Sequence, residues 1–256
     1  YNVQSGHPGG SLSAIDMMVA LYHYRLNIKP KKPHWDDRDR FVLSKGHCSP
    51  ALYSVLSDRN YFPKSELKNF RKINSLLQGH PELKTPGVDF AGGALGQGIC
   101  FAVGIALAGK LDKKDYQVVA MIGDGEAQEG AVWEASMAAP HFKLDNMIAI
   151  LDKNQIQETG KTEDVMDLGD VVAKWKAFGW NVIEINGHDM EACVNALDTA
   201  WDNKNGKPTM IISNTLKGKG VSFMELNHNF HGKAPNDEEY KNALEEIDNI
   251  DINTFK

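Results

Sequence analysis

Residues 117–125 read Gln-Val-Val-Ala-Met-Ile-Gly-Asp-Gly and are followed by a helical pattern from Ala131 to Ala139. The run Gln117–Ile122 is short, rich in β-branched and apolar residues and without charge, as is typical of a strand buried on both faces. Gly123 and Gly125 permit a tight turn, and the helix that follows presents free backbone N–H groups to an anion. The stretch predicts a buried strand, a phosphate-binding turn and a helix.

The same alternation extends along the chain. Four more apolar runs predict strands, at Arg40–Leu43, Met147–Leu151, Asn181–Ile185 and Thr209–Ser213. Helical patterns lie at Leu12–Leu26, Gly96–Lys110, Ala131–Ala139, Val171–Phe178 and Met190–Asn203, with Pro140 and Gly179 as expected stops. This order predicts an α/β fold with a parallel β-sheet sandwiched by helices. We expect a single domain over residues 1–256, in which residues 236–256 form a C-terminal helix and tail.

Composition excludes several classes of protein. The net charge is −6 and no block of consecutive basic residues occurs, which argues against nucleic acid as a partner. Cys48, Cys100 and Cys193 form no C-x-x-C pair, which argues against a disulfide framework or a zinc cage. The most apolar stretch, Ile99–Ala108, is about half of the ~20 residues that a membrane helix needs. We expect a cytoplasmic protein with no membrane contact, and we expect native residues before Tyr1 because no initiating Met is present.

Asp124 places a carboxylate at the predicted phosphate-binding turn. Two anions at contact distance repel each other unless a cation lies between them. Asn154 follows the next predicted strand, and the carboxyl ends of neighbouring parallel strands share one edge of a sheet. Carboxylate, amide and backbone carbonyl oxygens suit Mg²⁺ or Ca²⁺. The pair predicts a divalent cation site, although Gly-Asp-Gly alone is equally typical of a simple turn between a strand and a helix.

Two other phosphate-binding motifs do not match. A dinucleotide fingerprint requires a third glycine where Gln128 stands. A P-loop ending at Gly160-Lys161-Thr162 requires a first glycine where Gln155 stands. We therefore interpret Gly160–Thr162 as a polar turn.

Five of the nine histidines adjoin a glycine: His7, His47, His80, His188 and His231. Glycine-hinged loops present side chains at the edge of a sheet, where imidazoles bind phosphate, orient hydroxyls and relay protons. For each of them a surface turn is the alternative. The loop Lys217–Gly220 either faces an anion or is a solvated loop, and the glycine-rich loop Gly92–Gly98 allows a flat ligand to approach the backbone.

The order of these motifs resembles that of the N-terminal half of transketolase, from His7 to about His231. The motifs are Ser-Gly-His-Pro-Gly-Gly from Ser5, Leu-Ser-Lys-Gly-His from Leu43, Gly-His-Pro from Gly79, Gly-Ala-Leu-Gly-Gln-Gly from Gly93, Gly-Asp-Gly-Glu-x-Gln-Glu-Gly from Gly123, Asn-x-Ile from Asn154 and His-Gly from His231. The resemblance implies the thiamine-diphosphate-binding (PP-type) fold, with thiamine diphosphate and Mg²⁺ or Ca²⁺ as cofactors.

The resemblance also implies a role for each site residue. Asp124, Asn154 and the carbonyl of Ile156 would hold the metal, and the loop at Gly125 would hold the diphosphate. His47 and His231 would contact the phosphates or the thiazolium side of the cofactor, and His7 and His80 would contact the hydroxyls of the donor sugar. Gly93 and Leu95 would contact the aminopyrimidine of the cofactor. Glu129 would lie at the contact between protomers. All four histidines are candidate catalytic residues.

The chain departs from single-chain transketolases in three places. Ala94 replaces a proline, Lys153 interrupts the usual Asp-Asn-Asn, and Lys217–Gly220 resembles bipartite relatives. The family's second α/β domain does not follow His231. The resemblance therefore implies the N-terminal subunit of a split transketolase, which transfers a glycolaldehyde unit from a ketose phosphate to an aldose phosphate. Its partner would be a separate C-terminal subunit with a Pyr domain and a C-terminal domain, in an α2β2 heterotetramer.

Four alternatives stay open on the sequence. A deoxyxylulose phosphate synthase is disfavoured because such enzymes usually read Ser-Gly-Gly-His where Ser5 begins Ser-Gly-His-Pro. A specialised transketolase that acts on an unusual sugar is compatible with every motif. A non-catalytic binding module is disfavoured by the retained metal ligands and histidines, and a nicotinamide oxidoreductase by the missing fingerprint.

Overall fold

The structure, a computed structural model, describes residues 1–250. Five parallel strands form one sheet: β1 Arg40–Leu43, β2 Val118–Gly123, β3 Met147–Lys153, β6 Asn181–Asn186 and β7 Thr209–Asn214. Their order across the sheet is β1-β2-β3-β7-β6. A short antiparallel hairpin, β4 Ile156–Gln157 and β5 Gly160–Lys161, follows β3. The predicted parallel α/β fold is confirmed.

Helices cover both faces of this sheet. Their bounds are α1 Pro8–Ala20, α2 Ser49–Asp58, α3 Gln97–Leu111, α4 Gly130–His141, α5 Thr162–Met166, α6 Val171–Ala177, α7 Met190–Asp202 and α8 Asp237–Asp248. Helices α1, α2 and α7 share one apolar core with the sheet, and α3, α4 and α6 share the other. On β2, Val119 and Met121 enter the first core, whereas Ala120 and Ile122 enter the second. Burial on both faces explains why this strand has no polar residues.

The strand register brings the candidate site residues to one edge. Gly123 of β2 pairs with Asp152 of β3, and Asp152 pairs with Ser213 of β7. The segments that carry Asp124, Asn154 and Lys217 therefore leave the sheet side by side at its carboxyl edge, where open α/β sheets bind ligands.

Two helices differ from the sequence prediction. α1 begins at Pro8 rather than Leu12, because a proline in the first turn needs no N–H partner, and it continues beyond Ala20 as a π-helical turn. α4 includes Pro140, so the prediction that this proline ends the helix is wrong. Because proline has no backbone N–H, Pro140 cannot donate a hydrogen bond to the carbonyl of Ser136. This carbonyl instead accepts a hydrogen bond from Trp180 Nε1 at 2.9 Å.

Elements outside the prediction are α2, α5 and the β4–β5 hairpin. The predicted C-terminal helix is present as α8, and residues 251–256 of the predicted tail lie outside the described residues. None of the helices in residues 1–250 combines the length and apolar character that crossing a bilayer requires.

Candidate functional site

A cavity of about 340 Å³ opens at the carboxyl edge of the sheet. All eleven predicted site residues line it: His7, His47, His80, Gly93, Leu95, Asp124, Gly125, Glu129, Asn154, Ile156 and His231. The chemical roles assigned to them remain predictions. Seven further lining residues are not among the predicted site residues: Lys45, Gly123, Glu126, Gln128, Gln157, Glu158 and Lys217.

Asp124 is held rigidly at the end of β2. Its Oδ1 accepts a hydrogen bond from Gly125 N at 2.8 Å, and its Oδ2 accepts one from Gln155 N at 2.6 Å. Only 3% of the residue is exposed. Burial, and then the neighbouring Asp152, raise the pKa of this carboxyl above its usual value. A buried carboxylate whose hydrogen bonds within residues 1–250 come only from backbone groups fits a site for a cation.

Asn154 and Ile156 line the same cavity as Asp124 and carry two neutral oxygens. Asn154 Nδ2 donates to Ser13 Oγ at 3.2 Å and to Asp152 Oδ2 at 3.1 Å, which orients the amide. Its Oδ1 accepts from the N–H of Ile156 at 3.2 Å. Residues 1–250 contain no cluster of three or more His, Cys, Asp or Glu side chains able to hold a metal. The predicted donor set needs none, since it combines one carboxylate with two carbonyl oxygens, which suits a hard cation.

A buried ion pair supports this edge from below. Lys45 and Asp152 contact each other directly, and both side chains are almost fully buried. Asp152 also accepts hydrogen bonds from Ser13 Oγ at 2.7 Å and Thr215 Oγ1 at 2.5 Å. Burial opposes ionisation of Asp152, but Lys45 and these hydrogen bonds hold its pKa below the usual value. The charge on Asp152 in turn fixes the amide of Asn154.

Glu126 joins three elements at the cavity wall. Its carboxylate accepts hydrogen bonds from Gly96 N at 2.9 Å, from Gly123 N at 3.0 Å and from the hydroxyl of Ser44. These three donors stand at the start of α3, the end of β2 and the end of β1. The sequence signal for this role is weak, because a glutamate in a turn before a helix is usually exposed.

Three imidazoles form a cluster at the cavity. The ring centres of His7, His47 and His231 lie 5.2 to 5.4 Å apart. Burial and then nearby cations lower the pKa of His7 to about 4 and that of His231 to about 3, and burial lowers the pKa of His47 well below its usual value. At neutral pH these rings are therefore uncharged, so each has one nitrogen that accepts and one that donates a proton.

The loop Lys217–Gly220 is predicted from the sequence either to face an anion or to be solvated, and the position of Lys217 favours the first interpretation. Its side chain is buried, and its Nζ lies 2.9 Å from the Ile156 carbonyl and 2.5 Å from His231 Nδ1. Burial and then Lys45 lower the pKa of Lys217 to about 8. Lys219, in contrast, pairs with Glu225 at 3.3 Å. One lysine of the loop therefore faces the cavity, and nothing in the local sequence distinguishes it from the other.

Bare backbone borders the cavity at two glycines. A Cβ on Gly125 would lie 3.0 Å from Gln157 Cβ, and one on Gly93 would lie 3.4 Å from the His80 ring. These positions leave backbone open to a ligand that approaches closely. Together with the oxygen donors and Lys217, they fit a metal-bound diphosphate.

Two motifs lie elsewhere. His188 is the one glycine-flanked histidine that does not line this cavity. Lys161 and Thr162 line a neighbouring cavity of about 270 Å³, which shares Asp124 and Ile156 with the first.

Comparison with known proteins agrees with this geometry. The family described as "Transketolase, thiamine diphosphate binding domain" matches residues 1–253. One of the subunits of the apulose-4-phosphate transketolase of Phocaeicola vulgatus is 42% identical over 96% of this chain and 88% of its own length. The 6-deoxy-6-sulfo-D-fructose transketolase subunit SqwG of Clostridium sp. is also 42% identical, over 95% of this chain and 88% of its length.

Longer transketolases match as well. Human transketolase is 40% identical over 90% of this chain, but the match covers 36% of its length. The crystal structure of transketolase from Campylobacter jejuni superposes with a TM-score of 0.91 at 40% identity, over 96% of this chain and 40% of that one. The chain thus belongs to the transketolase family of enzymes and carries that family's thiamine diphosphate binding domain.

Proposed function

We propose that this chain is the N-terminal subunit of a transketolase that depends on thiamine diphosphate and a divalent metal. The enzyme transfers a two-carbon glycolaldehyde unit from a ketose phosphate to an aldose phosphate. The observation that carries the proposal is the convergence of the predicted metal, diphosphate and histidine residues on one cavity.

The chain's own residues hold and orient the cofactor in this proposal. Asp124, Asn154 and the Ile156 carbonyl bind Mg²⁺ or Ca²⁺, and the backbone at Gly125 with the Lys217 ammonium binds the diphosphate. Gly93 and Leu95 bear on the aminopyrimidine. When bound, thiamine diphosphate supplies the electron sink for carbon–carbon bond cleavage.

The histidines manage substrate hydroxyls and protons. His7 and His80 contact the hydroxyls of the donor sugar, and His47 and His231 contact the phosphates or the thiazolium side of the cofactor. Because the pKa values of His7, His47 and His231 are lowered, these rings are uncharged at neutral pH, and each has one nitrogen that donates a hydrogen bond and one that accepts.

A separate partner chain completes the site. Two relatives of 42% identity support this, because both are named as transketolase subunits and are matched over 88% of their length. Leu95 and Glu129 are exposed at the rim of the cavity, where a second chain would contact them. We propose a C-terminal subunit with a Pyr domain and a C-terminal domain, assembled as an α2β2 heterotetramer in the cytoplasm, where reducing conditions suit three free cysteines.

The decisive experiment is reconstitution. Ketol transfer from xylulose 5-phosphate to ribose 5-phosphate is measured with thiamine diphosphate and Mg²⁺, using this chain with and without its candidate partner. We expect activity only with both. Turnover by this chain alone would contradict the requirement for a partner, and failure of the mixture to bind thiamine diphosphate would contradict the cofactor assignment.

The donor sugar is a separate question. Relatives that share 42% identity are named for apulose 4-phosphate and for 6-deoxy-6-sulfo-D-fructose, which favours a specialised sugar as a second candidate. Both compounds, with xylulose 5-phosphate, are compared as donors by kcat/KM in the reconstituted enzyme. The donor with the highest value identifies the substrate.

A further inference from the structure

The loop that carries Lys217 is supported from behind by His188, which lies outside the cavity. His188 Nε2 accepts a hydrogen bond from the backbone N–H of Leu216 at 2.9 Å. Its Nδ1 lies 2.7 Å from Asp16 Oδ2. Only 9% of the His188 side chain is exposed. A side chain from the loop after β6 thus connects α1 to the residue before Lys217.

The hydrogen bonds define the tautomer of this ring. Because Nε2 accepts the Leu216 N–H, it carries no proton, so the neutral ring is protonated on Nδ1 and donates to Asp16. The Asp16 carboxylate therefore fixes the tautomer, and the tautomer gives Leu216 its acceptor. A histidine with the opposite tautomer would direct an N–H against another N–H.

The segment around Leu216 is anchored on alternate sides. The N–H of Thr215 bonds to the Lys153 carbonyl at 3.1 Å, and the N–H of Lys217 bonds to the Asn154 carbonyl at 3.3 Å. The intervening Leu216 N–H points to His188. The His188 loop also packs tightly against this segment, since a Cβ on Gly187 would lie 2.0 Å from Ser213 Oγ and 2.5 Å from Thr215 Cγ2. Loss of the His188 side chain would leave the Leu216 N–H, next to the buried lysine, without this acceptor.

We propose that Asp16 and His188 are positioning residues that hold Lys217 in place for the diphosphate of the cofactor. This inference rests on the proposed function, because it requires that Lys217 faces thiamine diphosphate. Neither residue lines the cavity, so both act through the loop.

The first test compares His188→Leu with His188→Gln in the enzyme assembled with its partner. Thiamine diphosphate is titrated with Mg²⁺ by calorimetry, and KM for the cofactor and kcat at saturation are measured. We expect the leucine variant to bind the cofactor about tenfold more weakly, as when a residue that orients a ligand group is removed, with little change in kcat. The glutamine variant regains most of the affinity, because its side-chain oxygen again accepts the Leu216 N–H.

A matched control is His23→Leu, which removes a second histidine–aspartate contact, that of His23 Nε2 with Asp58 Oδ2 at 3.3 Å. It is expected to bind the cofactor like the wild type. Equal weakening by the two leucine variants would overturn the inference, because the effect would then not depend on the loop of Lys217.

A double-mutant cycle tests whether His188 acts through Lys217. If it does, the combination of His188→Leu with Lys217→Met binds thiamine diphosphate no more weakly than Lys217→Met alone. Additive losses would overturn the inference. Nitrogen-15 NMR of the assembled enzyme gives an independent readout, in which His188 is expected to be protonated on Nδ1, and protonation on Nε2 would contradict the proposed contact.

The positioning role and the proposed function fail in different ways. Wild-type affinity in His188→Leu would overturn the positioning role and leave the proposed function intact. Absence of cofactor binding by the wild-type assembly would overturn both.

Discussion

Buried charge at single residues determines how the candidate site is held. Lys45 and Asp152 form an ion pair in which neither side chain is more than 2% exposed. Lys45 lines the candidate cavity, and Asp152 orients Asn154 through a hydrogen bond of 3.1 Å. Removal of either partner leaves an uncompensated charge in the interior.

We predict that Lys45→Met lowers the free energy of unfolding by about 3–5 kcal/mol, the usual cost of stranding a buried charge. Urea denaturation at pH 7 measures the change. The control is Lys64→Met, which breaks the exposed pair of Lys64 with Asp58 at 3.0 Å and is expected to cost about 0–1 kcal/mol. Equal losses in the two variants would contradict the importance of the buried pair.

Histidine titration makes a second residue-scale prediction. Burial, and then Arg71 and His80, lower the pKa of His7 from 6.5 to about 4 in the folded protein. The unfolded chain therefore takes up this proton at higher pH than the folded one. The contribution of His7 to stability is fully present above pH 6.5 and is lost as the pH falls from 6.5 towards 4.

Replacement of His7 by a residue that does not titrate should reduce this acid sensitivity. We expect His7→Gln to lose less unfolding free energy between pH 7 and pH 5 than the wild type, as measured by urea denaturation at both pH values. The exposed His34 provides the control, and His34→Gln should keep the wild-type difference. A wild-type difference in His7→Gln would show that this ring does not contribute.

Helix α3 has an exposed apolar face, which indicates where the partner chain binds. Its sequence is apolar on all sides, and a helix of that kind is normally covered on all sides. Ile99, Ala102 and Ala106 are buried against the sheet, whereas Phe101 remains 48% exposed and Leu111 74% exposed. Leu95 and Glu129, at the cavity rim, adjoin the first turns of α3 and α4. We expect the partner chain to cover this face.

The corresponding prediction concerns Phe101→Asp. We expect this variant to fold but to lose association with the C-terminal subunit, because a carboxylate would enter an apolar interface. Sedimentation velocity of the mixed subunits measures the association, and circular dichroism checks the fold. The matched control is Ile73→Asp, since Ile73 is apolar and 93% exposed but lies in a turn outside α3. Association of Phe101→Asp at wild-type strength would place the interface elsewhere.

For the whole molecule, cofactor binding should appear as added stability. A ligand at a concentration 100 times its Kd that binds only the folded state stabilises it by about 2.7 kcal/mol. We predict that thiamine diphosphate with Mg²⁺ raises the Tm of the assembled enzyme, and that removal of the metal by a chelator reverses the increase.

Two aspartate variants separate the metal site from general charge effects. Asp124→Asn should show no increase in Tm with thiamine diphosphate and Mg²⁺, since it loses the carboxylate ligand. Asp164→Asn, an exposed change on α5, should respond like the wild type. A full increase in Asp124→Asn would contradict the assignment of Asp124 as a metal ligand.

Most of the fold, and the placement of Asp124 and Asn154 at one edge of the sheet, follow from local sequence. Apolar runs without charge specify strands that are buried on both faces, and glycines with polar residues directly after them mark the turns at one sheet edge. Such signals extend over a few neighbouring residues. The sequence therefore predicts, without knowledge of the packing, that Asp124 and Asn154 lie at the same edge of the sheet. Strand order is not predictable in this way: β7 lies between β3 and β6, although it follows both in the chain.

The buried ion pair, the contact between His188 and Asp16 and the burial of Lys217 depend on packing between distant parts of the chain. The ion pair joins residues 107 positions apart, and the contact between His188 and Asp16 spans 172 positions. The sequence alone does not distinguish Lys217 from Lys219, because the burial of a charge depends on groups brought together from distant parts of the chain. The predicted metal ligands and the glycine-flanked histidines carry local sequence signals, whereas the charges and hydrogen bonds that position them exist only once the strands have assembled.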